Sequence, residues 1–250
     1  MRKEEVRDLC VTSHPKTSHG RVVERLGVAI VGGRYAIGET LPGDAELEQK
    51  FDVSRSVLRE AMKTLSAKGL VVAKSRVGTR VTDRCHWDLL DEDVLRWHFD
   101  TGITAEFINQ LYDIRLVLEP ASAAFAALSA TPEDCAELRD FAQKLGVQEP
   151  GSEELVLADL RFHVYLALMS GNPFMESMVG FIKAALAGAF TLSLNVPDET
   201  RKDRIVKVHM AIVDAIEQGD AEAARRATEN VVQIGRNNAL ASLVKSPPQP

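Results

Sequence analysis

Asp159 and His163 stand four residues apart in a stretch of the sequence, 155–169, that is otherwise apolar almost all round. A helix of this composition is buried, and the spacing of four places both side chains on one of its faces. His209 stands among isoleucines and valines at helical spacing, so it is predicted to point inward as well. Arg115 stands among leucines and is predicted to face the same interior.

Buried carboxylates and imidazoles need partners, and two kinds of partner are open here. The first is another protein group, so that Asp159 and His163 form a carboxylate–imidazole pair and His209 is a hydrogen-bonded core residue. The second is a ligand or a divalent metal, since these side chains suit Zn, Ni or Mn. Arg115 would then supply the fixed positive charge that a carboxylate ligand needs once it leaves water.

A second group of residues has the pattern of a DNA-reading helix that starts after an N-capping Ser54. The apolar residues of this helix recur at helical spacing and form a stripe, Leu58, Ala61, Met62 and Leu65. Its basic residues step by four on another side, and small hydroxyl residues stand at its start: Arg55, Arg59, Lys63, Ser54 and Ser56. Arginine pairs with guanine in the major groove, and serine contacts bases or phosphates. The alternative is an ordinary amphipathic surface helix.

The neighbouring segments favour the DNA-reading interpretation. A helix is predicted over 21–31, a turn over 37–43 and a short helix over 44–51, which a tight turn joins to the recognition helix. After Gly69, two β-rich runs, 70–73 and 79–82, predict a small hairpin. The hairpin carries the basic residues Lys74, Arg76 and Arg80, of which Lys74 and Arg76 are candidate DNA contacts. These elements together predict a winged helix-turn-helix domain.

The distribution of charge agrees with this prediction. The chain of 250 residues has a net charge of -6, which by itself does not suggest a DNA-binding protein. Residues 54–84, however, carry eight basic and two acidic side chains. This asymmetry indicates a small basic module attached to a larger acidic one.

Composition excludes several other classes of protein. The hydrophobic fraction is 45% and the charged fraction 26%, as in globular domains. No apolar run approaches the roughly 18 residues that span a membrane, so no membrane association is expected. The start of the chain lacks the apolar core of a signal peptide, and three cysteines without a CxxC pair fit a reducing compartment. We therefore expect a cytoplasmic protein.

From residue 103 onward every long segment is predicted to be helical. The expected helices are 104–128, 132–145, 152–170, 173–194, 198–218 and 220–243. Breakers between them leave short connections, which imply antiparallel neighbours in a bundle. The fold class is thus mainly α: an N-terminal winged helix-turn-helix with a β-hairpin wing, followed by an antiparallel all-α bundle. The expected organisation is a flexible tail (1–18), a DNA-binding domain (19–85), a linker (86–99), an effector-binding and dimerisation domain (100–243) and a disordered tail (244–250).

The first domain resembles the GntR family of bacterial regulators. The resemblance covers about 65 residues and rests on motifs with fixed spacing: Gly38-x-x-Leu41-Pro42, Phe51-x-Val53-Ser54-Arg55, Arg59-Glu60-Ala61, Lys68-Gly69-Leu70 and Gly78-Thr79-x-Val81. It implies that Ser54, Arg55, Ser56 and Arg59 contact DNA and that Gly78 and Thr79 approach the minor groove. Some members have a DNA-binding arginine at the position of Ala45, and this chain lacks that contact.

The second domain resembles the ligand-binding FCD domain of the FadR subfamily. The resemblance rests on Asp159-x-x-x-His163, on Ser170-Gly171-Asn172-Pro173 and on the motif that starts at His209. Many members hold a divalent metal with one Asp and three His, and that metal helps to bind a carboxylate effector. The last His would fall near Val231, so the implied metal site is incomplete. A metal held by three protein ligands and complete loss of the metal are equal alternatives. This gap and the pattern Trp87-x-x-Leu-Asp-x-Asp-Val-Leu-x-Trp97 resemble the sugar-acid, galactonate-responsive branch.

We therefore expect a homodimeric regulator that binds double-stranded operator DNA with an inverted repeat, because a two-fold protein matches a two-fold site. It is expected to repress an operon for the breakdown of a sugar acid or another carboxylate, and to leave the operator when a small carboxylate effector binds at Arg115, Asp159, His163 and His209. Two alternatives are a metal-dependent enzyme that uses Asp159, His163 and His209, and a ligand-free regulator whose bundle only dimerises. The bundle shows no nucleophile beside a base, so no enzyme is expected.

Overall fold

The computed structural model describes residues 5–6, 9, 17–149, 152–193 and 201–245. These residues form two compact units: the first contains residues 17–103, and the second contains the described residues from 104 onward together with residues 5–6 and 9. The tails predicted over 1–18 and 244–250 lie mostly outside the described residues, although Thr17 already caps the first helix and the last helix reaches Lys245. In the part of the chain that the structure describes, no helix is both long and apolar enough to cross a membrane.

The first unit is a winged helix-turn-helix. Its elements are α1 (Ser18–Val31), α2 (Asp44–Phe51), α3 (Arg55–Ala67), β1 (Val71–Lys74), β2 (Gly78–Val81) and α4 (Glu92–Thr101). The strands are antiparallel, with Val71 opposite Val81 and Lys74 opposite Gly78. The segment predicted as a turn over 37–43 also runs beside β2, since the Leu41 amide donates to the Thr79 carbonyl. The predicted winged fold is confirmed.

The segment 86–99, expected to be a linker, lies inside this first unit. Helix α4 begins after Asp91, whose side chain accepts hydrogen bonds from two backbone amides at the helix start. Trp97 is fully buried against α1, where a Cβ on Gly27 would lie 2.4 Å from its ring. Arg96 donates to both carboxylate oxygens of Glu24 at 2.6 and 2.7 Å. Apolar burial and this two-point ion pair therefore attach α4 to the helices of the first unit.

The second unit is an all-helical bundle. It contains α5 (Ala105–Ser129), α6 (Pro132–Val147), α7 (Glu153–Met169), α8 (Pro173–Ser177), α9 (Val179–Ser193), α10 (Arg201–Glu217) and α11 (Ala221–Lys245). The single helix predicted over 173–194 is interrupted at Met178, and the predicted start of the 198–218 helix falls outside the described residues.

Helix α7 lies at the centre of the bundle, as its composition predicted. It is buried over most of its length, and it contacts α5, α6 and α9. Helix α11 runs along α5, where Arg236 donates hydrogen bonds to Asn109 and Asp113. Polar side chains on α5 and α7 are consequently enclosed by neighbouring helices.

Candidate functional site

The start of α3 presents polar side chains to solvent. Ser54 caps the helix, its Oγ accepting from the Val57 amide at 3.5 Å and lying 3.0 Å from the Ser56 Oγ. Leu58, Ala61 and Leu65 are buried in the core of the first unit. The apolar stripe therefore fixes the helix on its own module and leaves the opposite side free.

The basic row of α3 lies on that free side. Arg55, Arg59 and Lys63 are all exposed, as are Ser54 and Ser56. Lys63 donates to Glu60 at 2.8 Å in an exposed ion pair, and such a pair breaks at little cost. The face has the charge and shape to enter a DNA groove.

The wing adds further cationic side chains. Lys74, Arg76 and Gly78 are exposed and Thr79 is half-buried. The turn between the strands requires a positive φ at Arg76 (64°) and at Gly78 (105°). Arg80 also lies on β2, but its Nε donates to the Gly38 carbonyl. This arginine therefore links the wing to the segment before α2.

A cavity in the second unit collects the polar residues predicted to be buried there. The cavity has a volume of about 80 Å³, which is room for several waters. Arg115 on α5, Asp159 and His163 on α7, and His209 on α10 all line it. The structure thus brings together the four residues that the sequence analysis selected.

Glu119 was missed as a site residue by the sequence analysis, and it connects two of these four. The Arg115 Nε donates to the Glu119 Oε1 at 2.6 Å, and the His163 Nδ1 lies 2.7 Å from the Glu119 Oε2. Arg115 and Glu119 are only 3% and 2% exposed. The spacing of four between them was the available signal, because it places a carboxylate and a guanidinium together on one buried helix face.

These contacts fix the charges of the network. Burial alone would raise the pKa of the Glu119 carboxyl, but Arg115 and His163 outweigh it and hold that pKa at about 2. Burial would likewise raise the pKa of Asp159, yet its contacts with His209 and His163 lower it. For His163, burial acts to lower the pKa, and the neighbouring Glu119 raises it above the ordinary value. Both carboxyls are therefore ionised at neutral pH.

His209 faces Asp159 with a nitrogen that lacks a hydrogen-bond partner. Its Nδ1 lies 2.7 Å from the Ile205 carbonyl oxygen, which places the proton on Nδ1. Its buried Nε2 lies 3.2 Å from the Asp159 Oδ1 but makes no hydrogen bond with a described residue. An imidazole nitrogen this close to a carboxylate oxygen needs a proton or a cation between the two atoms. This set of donor atoms also suits a metal ion.

The remaining distances between ligand atoms are longer than a bound metal requires, so the side chains would have to move closer together to hold one. The Asp159 Oδ1 lies 3.9 Å from the His163 Nε2. One ligand atom from each of Asp159, His163 and His209 lies within 4.8 Å of the other two. A tetrahedral ion with bonds of about 2.1 Å places its ligands roughly 3.4 Å apart. The contact of His163 with Glu119 also matches the support that metal-binding histidines receive from a carboxylate.

The position where a fourth ligand was considered holds Val231, which is 8% exposed and lines the cavity. Its side chain cannot bind a metal. Tyr112, Arg204 and Asn238 also line the cavity and were not selected from the sequence. A bound ion would therefore keep a coordination position for water or for a ligand.

Comparison with known proteins gives two family matches. Residues 19–81 match the family described as bacterial regulatory proteins, gntR family, and residues 110–233 match the FCD domain. A similar protein is the uncharacterised HTH-type transcriptional regulator YieP of Escherichia coli, 33% identical over 216 residues, which are 85% of this chain and 91% of the relative. The galactonate operon transcriptional repressor of Escherichia coli is 31% identical over 212 residues, 85% of this chain and 92% of the relative.

A solved structure supports the fold. The structure of Lar, described as controlling expression of the Listeria monocytogenes agr system, covers 91% of this chain and 98% of its own. The TM-score is 0.60 and the sequence identity 23%.

Proposed function

Because this chain belongs to the gntR family of bacterial regulatory proteins and carries an FCD domain, we propose that it represses an operon for the breakdown of a sugar acid or another carboxylate. The matched families and relatives are transcription regulators, so the metal-dependent enzyme considered from the sequence is set aside. The similarity to the galactonate operon transcriptional repressor supports the choice of a sugar acid. A cytoplasmic location follows from the proposed target, which is chromosomal DNA.

The proposed DNA interface is the free side of α3 together with the wing. Arg55 and Arg59 would contact base edges, Ser54 and Ser56 bases or phosphates, and Lys63 phosphate. Lys74 and Arg76 would neutralise phosphates beside the groove that the wing enters at Gly78 and Thr79. Two copies would read the two halves of an inverted repeat as a homodimer.

The observation that carries the effector proposal is the buried cavity with a guanidinium in its wall. Arg115 has five N–H donors and directs only Nε and one Nη2 proton at Glu119, so its remaining donors can bind a carboxylate. Burial acts to lower the pKa of Arg115, but the Glu119 carboxylate raises it above its ordinary value, so the positive charge of Arg115 is secured. Asp159, His163 and His209 would hold a Zn, Ni or Mn ion, which would add positive charge at the same place.

The coupling to DNA follows from differential affinity. An effector can release the operator only if it binds more tightly to the bundle in the pose that does not bind DNA. An effector carboxylate at Arg115 would contact α5, the first helix of the bundle, and Gly102 at the end of α4 has a positive φ of 98°. We place the hinge for this change at residues 102–104.

The proposal can be tested with purified protein in two steps. Duplexes selected from a random pool should converge on an inverted repeat. A panel of aldonates, uronates and dicarboxylates should then contain compounds that raise the melting temperature and release the selected duplex. Arg115→Ala breaks the buried pair with Glu119, so its helix content is checked by circular dichroism. The folded variant should bind the duplex as wild type does but stay bound when the effector is added.

Chelation separates the roles of the arginine and the metal. If chelator abolishes release while Arg115→Ala still responds, the metal carries the recognition. If no compound in the panel shifts the melting temperature or releases DNA, the ligand-free regulator becomes the better description.

A further inference from the structure

Helix α5 carries an exposed apolar stripe that the proposed function does not use. Ile114, Val117, Phe125 and Leu128 are 45%, 65%, 41% and 73% exposed. Their spacing places all four along one side of the helix, with the half-buried Ala121 between them. Single exposed apolar residues are common, but a continuous row of large ones indicates a contact surface.

The stripe is symmetric about its centre. Val117 and Phe125 each stand four residues from Ala121, and Ile114 and Leu128 each stand seven residues from it. When two copies of one helix cross antiparallel at Ala121, Val117 meets Phe125 of the other copy and Ile114 meets Leu128. A two-fold contact requires this reciprocity, because the same surface must serve on both sides. The small side chain of Ala121 lets the two helix axes approach at the crossing.

We propose that this α5 stripe is the surface through which two copies of the chain associate, with the two α5 helices antiparallel and the two-fold axis near Ala121. The inference deepens the proposed function, which calls for a homodimer without assigning its contact. A second copy is chosen as the occupant because the symmetric spacing matches the stripe to itself.

The exposed area is sufficient for a stable dimer. Residues of this size expose roughly 200 Å² in an extended chain, so the four fractions leave on the order of 450 Å² of largely apolar surface per copy. Interfaces are about 56–65% apolar and bury about 800 Å² per partner. The stripe therefore supplies about the apolar share of one standard interface, and the polar ends of α5 can supply the remainder.

The same helix faces the cavity on its other side. The buried network includes Arg115, which follows Ile114 in sequence, and Glu119, which stands two residues before Ala121. A ligand that moves these side chains would act on the helix that forms the dimer contact. The stripe thus offers a direct route from the cavity to the relative pose of two copies.

Charge substitutions on the stripe test this surface in the full-length chain. Val117→Glu and Phe125→Lys each place an unpaired charge against an apolar partner twice per dimer, which should raise the dimer dissociation constant about 100-fold or more. The matched control is Val147→Glu at the end of α6, where the side chain is 74% exposed. Sedimentation equilibrium gives the dissociation constants, and circular dichroism should show the same helix content in all variants.

Mixing the two variants tests the predicted register. In a dimer of one Val117→Glu chain and one Phe125→Lys chain, one contact becomes an ion pair and the other keeps its native Val117 and Phe125. The equimolar mixture should therefore dimerise more tightly than either variant alone. Dimers that persist in both variants, or a mixture that gains nothing, would overturn the surface while leaving the homodimer intact. A monomeric wild type would overturn the homodimer itself.

Discussion

Replacement of Glu119 by glutamine should strongly destabilise the helical unit. The Glu119 carboxylate contacts the Arg115 guanidinium at 2.6 Å and the His163 ring at 2.7 Å, and all three side chains are at most 3% exposed. The amide has nearly the same shape but no charge. The substitution therefore leaves a buried guanidinium without its counter-charge.

The magnitude follows from burial. Breaking a buried ion pair by neutralising one partner costs about 3–5 kcal/mol. Glu222→Gln is a matched control, because Glu222 pairs with Arg226 at the same spacing of four in the same unit. Those side chains are 64% and 62% exposed, and an exposed pair of this kind contributes about 0.3–0.5 kcal/mol.

Urea unfolding can separate the two units of the full-length chain. Both tryptophans, Trp87 and Trp97, lie in the first unit, so their fluorescence follows that unit, whereas most of the far-ultraviolet circular dichroism follows the bundle. Glu119→Gln should shift the circular dichroism transition and leave the tryptophan transition in place. A loss no larger than that of Glu222→Gln would refute the assignment of a buried charge network.

Three further predictions concern the first unit. Gly27→Ala should destabilise the first unit by about 1–3 kcal/mol in tryptophan-detected unfolding, because the added Cβ would overlap the Trp97 ring. Alanine in place of glycine usually stabilises a helix by about 1 kcal/mol. A stabilised variant would therefore contradict this packing. Glu24→Gln should be less stable than wild type at pH 7, because burial acts to raise the Glu24 pKa but contacts with Arg96 and Trp97 lower it below its ordinary 4.5. The difference in stability should shrink as the pH falls below about 4.5, since the stabilising charge is lost on protonation. A difference that does not depend on pH would contradict this role of Glu24. Lys74→Ala should weaken binding to specific and random DNA alike, and should reduce the slope of log affinity against log salt by about 0.9 for each copy; an unchanged slope would remove Lys74 from the interface.

Much of the architecture follows from local patterns. Ser54 and the stripe containing Leu58, Ala61 and Leu65 were sufficient to predict α3 and its free side, because capping and helical periodicity are local properties. The apolar surroundings of Asp159 and His163 likewise predicted a buried helix.

The parts that sequence reasoning missed depend on contacts between distant residues. The attachment of α4 rests on the match between Trp97 and Gly27 across 70 positions, and no local pattern reports that match. Arg80 was expected only to add charge to the wing, but its bond to Gly38 depends on how the segment before α2 lies against β2. The contact of Glu119 with His163 needs two helices in register.

Operator binding by substituted recognition helices tests the central claim most directly. The measurement is the affinity of wild type, Arg55→Ala, Arg59→Ala and the exposed control Arg226→Ala for the selected inverted repeat and for a scrambled duplex. A base contact contributes about 1–3 kcal/mol and a dimer loses it twice, so each recognition-helix variant should lose roughly 30-fold or more on the repeat. The control should bind as wild type does, and all four proteins should keep the same melting temperature within about 1 °C. Wild-type affinity for the repeat in both Arg55→Ala and Arg59→Ala would contradict the assignment of α3 as the DNA-reading helix.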